Sequence, residues 1–147
     1  MPNYPGFVPD PLASLAAEFT RLTIHQGWSS KNTKSQKKRR ARFYADEWDA
    51  QFGHVKNKLQ GWQELCEEVG IKPVPSSITQ CRKALSRTHI NLVNLMDHRR
   101  NANIKLIKFH SFKQFRSYTM DKFPERIFPK EEAKREGFIK DLLRTLT

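Results

Sequence analysis

Apolar residues recur along this chain at three- and four-residue intervals, in blocks separated by glycine, proline and runs of lysine and arginine. That spacing gathers side chains on one face of an α-helix and predicts an all-α protein. Leu12, Leu15, Ala16, Phe19 and Leu22 make the first face, with Asp10 suited to the N-cap, Pro11 to the first position and Gly27 to the stop. Ala41, Tyr44, Ala45, Trp48 and Phe52 make the second. Upstream, Lys34, Lys37 and Lys38 project along the same line, where no unpaired cation enters a core. Either this helix starts late, near Ala41, or its first turns overhang the core. Phe43 lies opposite the apolar face and is expected at the surface. Val55, Leu59, Trp62, Leu65, Cys66 and Val69 predict a third helix over about 55–69, ended by Gly70.

The strongest signals follow. Ser77-Ile78-Thr79-Gln80 is a capping box. Ile78, Cys81, Leu85, Leu92 and Met96 then keep a period near 3.6, which predicts one helix reaching Asp97 or His98. Residues 104–109 alternate apolar and basic positions, but a lone strand has no partner, so an extended link is expected. Ser111 to Gln114 is a second capping box, opening a short helix whose Phe112 and Phe115 look like core residues. A loop with Pro124 and Pro129 leads to a last helix over about 129–146, carrying Ala133, Ile139, Leu142, Leu143 and Leu146. Residues 1–9 hold three prolines and a glycine and read as an extended arm from which Tyr4 or Phe7 packs back. The expected architecture is an arm followed by a single compact all-α domain of five to six helices over 10–147.

Charge changes the picture more than composition does. Hydrophobic residues make up 37% of 147 and aromatics 11%, enough for a folded chain with a thin core. The formal net charge is +12, from 27 Lys and Arg against 15 Asp and Glu. An isoelectric point near 10 is the electrostatic footprint of a nucleic-acid binder, shared with other basic proteins. The charge sits in two blocks. Gly27 to Arg42 holds seven basic residues and no acid, and Arg82 to Arg116 holds nine with only Asp97. The rest of the chain is slightly acidic.

Catalytic and metal chemistry find little support. Cys66 and Cys81 lie fifteen residues apart without a His pair at zinc-ligand spacing. Both fall on apolar stripes, as buried free thiols in a reducing compartment do, and unlike exposed nucleophiles. Asp46, Glu47 and Asp49 are the residue types of a metal-dependent nuclease, but they read more simply as surface charges balancing Arg39, Arg40 and Arg42. No glycine-rich phosphate loop is present. A protein with no cofactor, no metal and no enzymatic activity is expected. With neither a secretory leader nor a membrane-length apolar run, it is also expected to be intracellular.

Three constellations suit binding. The segment Ser29 to Arg42 offers Lys31, Lys34, Lys37, Lys38, Arg39, Arg40 and Arg42 to phosphates, and Lys37-Lys38-Arg39-Arg40 also reads as a nuclear import signal. On a helix continuous through residue 98, Gln80, Lys83, Arg87, Asn91, Asn94 and His98 share an arc of about 80°. That arc suits a DNA major groove, since Asn and Gln read adenine and Arg reads guanine. Arg99 and Arg100 extend it. The run Lys105 to Arg116 interleaves aromatics with cations, a composition that stacks on unpaired bases. The expected function is nucleic-acid binding, to double-stranded DNA, in the nucleus. The competing expectation is an interaction module that docks an acidic partner, or a homodimer through an exposed Phe43.

Several stretches also occur together as a set: Gly27-Trp28 before the basic segment, Trp62-Gln63-Glu64-Leu65-Cys66 with Val69-Gly70-Ile71, Ser77 to Cys81, Asn91 to Leu95, and Phe128-Pro129-Lys130. The set is similar to a helical domain of many uncharacterised proteins of filamentous fungi. The resemblance covers nearly the whole chain and implies a fungal source. It brings no activity and no functional residues.

Overall fold

The computed structural model describes residues 4–52 and 57–128, and in it a short polar side chain opens each of the six helices described. Helix α1 (Leu15–Gln26) starts at Ser14, α3 (Lys58–Glu68) at Asn57, α4 (Ile78–Ser86) at Ser77, α5 (Leu92–Arg100) at Asn91 and α6 (Phe112–Asp121) at Ser111. Each of these side chains accepts a backbone N–H from three residues on, a donor the helix itself leaves free. Thr33 Oγ1 does the same for Gln36 at the start of α2 (Lys34–Phe52). Two helices also end alike. Gly27 and Gly70, at φ +69° and +85°, take the left-handed turn, and the next residues, Trp28 and Ile71, bond back to Thr23 and Cys66. Both of those C-terminal residues then fold onto the core.

One core joins these elements. Leu15, Phe19 and Leu22 of α1 meet Phe43, Tyr44, Trp48 and Phe52 of α2 and Leu92, Leu95 and Met96 of α5. Trp62, Leu65 and Cys66 of α3 pack with Cys81 and Leu85 of α4 and extend it. Trp48, fully buried, has its ring 4.5 Å from Phe52 and 5.1 Å from Phe128. Helix α6 differs from the others, with no buried residue. The fold is all-α. Only an isolated antiparallel bridge, His89 to Phe109, breaks the helical pattern among the described residues, and 104–109 is the extended link expected.

Several expectations are corrected. The first helix begins at Ser14, not Asp10. Asp10 instead makes a separate turn, its Oδ1 accepting Leu12 N–H, and Leu12 is 61% exposed. Helix α2 begins at Lys34, well before Ala41. Phe43 is buried against Phe19, because α1 covers the side of α2 that the sequence pattern left open. Phe112 is 62% exposed rather than core. The helix expected over 78–98 is two helices. Thr88 Oγ1 caps the end of α4 by donating to Leu85 O, residues 87–91 leave the helix, and Asn91 starts α5. The start of the third helix is Lys58; Val55 and the expected last helix lie outside the described residues.

Candidate nucleic-acid interface

The break between α4 and α5 dismantles the expected groove-reading face. Asn91 and Asn94 are both buried. Asn91 Oδ1 accepts Asn94 N–H, and its Nδ2 donates to Thr119 Oγ1 (3.0 Å) and Arg126 O (2.9 Å). Asn94 holds the extended link as a strand neighbour would: Nδ2 donates to Lys105 O and Oδ1 accepts Ile107 N–H at 2.8 Å. His98 Nδ1 lies 2.7 Å from Ile104 O. These amides are structural fasteners, not base readers. Of that face Gln80, Lys83 and Arg87 remain exposed, on α4 and its C-cap.

Arg99 and Arg100 are also occupied. Arg99 stacks 4.4 Å over Phe52 and pairs with Glu68 at 2.7 Å. Arg100 is an interior hub, its side chain 8% exposed. It pairs with Glu47 at 2.8 Å and Glu18 at 3.4 Å, and donates to the carbonyls of Ala13 and Asp10 at 2.8 Å each. Glu18 also accepts Asp10 N–H and pairs with Arg21. Beside this hub, Asp97 Oδ1 accepts Leu15 N–H at 2.8 Å. Burial pushes the Asp97 carboxyl up to about 6, against the opposing pull of the Leu15 hydrogen bond and of Arg100. The acidic trio is corrected as well, since Glu47 answers Arg100 across the core rather than a neighbouring arginine on α2.

The first basic block keeps its charge at the surface. Lys31, Lys34, Lys37, Lys38 and Arg42 are exposed, and none is held by a carboxylate among the described residues. Lys34, Lys38 and Arg42, four residues apart, advance roughly 6 Å per step on one side of α2. The inward-leaning cations of this block find aromatic rings: Arg39 lies 4.7 Å over Trp28 and Arg40 5.2 Å over Phe19. Gln36, buried, anchors the first turn by donating to Thr23 Oγ1 at 3.0 Å. The early turns of α2 therefore dock rather than overhang, and the stripe rides on a fixed support.

The third constellation is an aromatic cluster. His89, Phe109, Phe112, Phe115 and Tyr118 contact one another at ring distances of 5.0–6.3 Å. Phe115, Phe109 and Tyr118 are half-buried there, whereas Phe112 looks outward between exposed Lys113 and Arg116. Sequence reasoning missed that the loop after α6 returns to α2. Tyr44 donates to Glu125 O at 2.8 Å, and Lys37, Arg40 and Ala41 line a cavity with Phe123, Pro124 and Ile127. No periodicity reports a contact spanning eighty residues; the one usable signal was a tyrosine on an otherwise apolar helix face.

Cys66 and Cys81 are both buried free thiols, and burial pushes the Cys66 thiol up to about 12, so it is no nucleophile at neutral pH. Among the described residues no three His, Cys, Asp or Glu side chains converge to hold a metal ion, and no helix is long and apolar enough to cross a membrane. Comparison of the chain with protein-family models, with curated proteins and with solved structures finds no match.

Proposed function

We propose that this protein binds nucleic acid through the exposed cationic stripe of α2, without catalysis. The observation that supports this reading is the contrast in pairing. Arg21, Arg99, Arg100 and Arg126 pair with carboxylates, whereas Lys34, Lys37, Lys38 and Arg42, gathered on one helix, have no such partner among the described residues. Three lysines in the first two turns also oppose the helix dipole, and the first turn has no acid to offset them. A polyanion relieves both conflicts at once and gains from counterion release. Lys31 and the exposed Ser29, Ser30, Asn32 and Ser35 add donors along the same edge.

The contacts are to the sugar-phosphate backbone. Asn91 and Asn94, two of the amides expected to read base edges, are engaged in the interior, so weak sequence preference is expected. Fluorescence anisotropy with labelled DNA and RNA at a series of salt concentrations tests the proposal. Log affinity should fall linearly with log salt, with a slope near that of three to five phosphate contacts, about −3 to −5. Absence of binding at 50 mM salt rejects it.

A further inference from the structure

We infer that the cavity between α2 and the loop after α6 receives an unpaired base, so that the preferred ligand is a single strand. The inference rests on the nucleic-acid reading and narrows it. The cavity has a volume of about 210 Å³. That is below the ~300–1,000 Å³ of a site for a whole small molecule and suits one planar ring. Its walls have two characters. Phe123, Pro124, Ile127 and Ala41 supply an apolar side, and Lys37 and Arg40 supply positive charge. A plain apolar occupant leaves the cations unanswered, and a bare anion leaves the apolar wall wet. A base attached to its phosphate answers both.

The Arg40 guanidinium lies over Phe19 and interacts with Tyr44, but it keeps a donor to spare. Arg40 Nη1 is buried with no hydrogen-bond acceptor, and the exposed Lys37 has no carboxylate among the described residues. Lys34, Lys38 and Arg42 run along the same helix, so a strand seated at the cavity keeps its phosphates against the stripe.

The walls are also held in place. Tyr44 fixes Glu125, Asn91 fixes Arg126, Arg126 packs 3.8 Å over Tyr118, and Phe128 packs on Trp48. Phe123 itself stays 53% exposed, open to stacking. From it, Met120 (47% exposed) and Phe112 (62% exposed) continue along α6, with Lys113 and Arg116 between them. Alternating rings and cations are the surface that a single strand uses, because every base has a face to stack. A duplex keeps its bases stacked inside and pays a few kcal/mol to release one.

The test compares four probes by anisotropy: an oligo-dT of about ten nucleotides, an abasic strand of equal length, a duplex of equal length, and an acidic peptide carrying one phenylalanine. Oligo-dT should bind at least tenfold more tightly than the duplex or the abasic strand. Phe123→Ala should weaken oligo-dT roughly 5- to 100-fold, the span of losing one base-aromatic stack, while leaving duplex affinity and the salt slope unchanged. Phe123→Trp should retain oligo-dT binding, with its fluorescence quenched by the bound base. The inference is overturned if Phe123→Ala binds oligo-dT like the unaltered protein, or if abasic and dT strands bind alike. It is also overturned if the peptide alone binds in a Phe123-dependent way. If all oligonucleotides fail to bind at low salt, the wider nucleic-acid reading falls instead.

Discussion

The two basic blocks carry nearly the same charge, but only the second gives up arginines to carboxylates among the described residues. In Gly27 to Arg42 the lysines stay at the surface and only Arg39 and Arg40 turn inward, onto rings. Within Arg82 to Arg116, Arg99 and Arg100 are taken up by Glu68, Glu47 and Glu18, three acids from three other helices. What separates them is the reach of carboxylates, not local sequence. A planar guanidinium at the end of α5 forks between several oxygens, whereas a lysine at the start of α2 finds none nearby. Net charge counts both blocks equally, yet the second spends two of its arginines on carboxylates of the fold.

The largest effect expected from breaking this comparison is at Arg100. Arg100→Ala leaves Glu47 buried without its cation and Glu18 with Arg21 alone, and should cost about 3–5 kcal/mol in urea unfolding. An intact midpoint would show that the hub contributes little. Next, charge reversal at Lys34, Lys38 and Arg42 together should lower oligonucleotide affinity at least tenfold and flatten the salt slope by about 3, without lowering the melting temperature. The same reversal at Lys83 and Arg87 should change affinity by less than about threefold, since long-range charge alone acts there. If both pairs of results coincide, the two blocks are equivalent after all.

Asn94→Ala should destabilise the fold by about 1–3 kcal/mol, by leaving Lys105 O and Ile107 N–H unpaired, while oligonucleotide affinity per folded molecule holds. The smallest effect concerns pH. The Asp97 carboxyl titrates near 6 when folded, above the ordinary carboxylate range. Folding therefore favours its protonated form: that stability is complete below about pH 4 and is lost as pH rises through 6. Asp97→Asn should remove this loss, so that the melting temperatures of the two proteins match at about pH 3.5 and the variant leads by a few degrees at about pH 7.5.

The helices were legible where local chemistry decides them. Ser77, Ser111, Gly27 and Gly70 each act where their residue types place them. The break after Ser86 was hidden because Leu85 and Leu92 stand seven residues apart, so the apolar stripe keeps its phase across it. The cap at Asn91 was a readable clue, overridden by periodicity. Of the candidate site, the stripe on α2 was visible as a run of charge. The interior use of Asn91, Asn94, Arg99 and Arg100 was not, because their partners lie on distant segments. For the same reason the sequence pattern puts Phe43 at the surface: its cover comes from α1.

Arg100 has a further consequence, for the order in which the molecule is made. Its donors reach the carbonyls of Asp10 and Ala13, ninety and eighty-seven residues earlier. Closing so long a loop comes before any reward from the contact, which slows folding relative to a bundle of local contacts. During synthesis the first two helices wait for the cation of Glu47 until the end of α5 has emerged. The first two helices are thus passengers until residue 100 is made, and the last residue of one short helix fastens them.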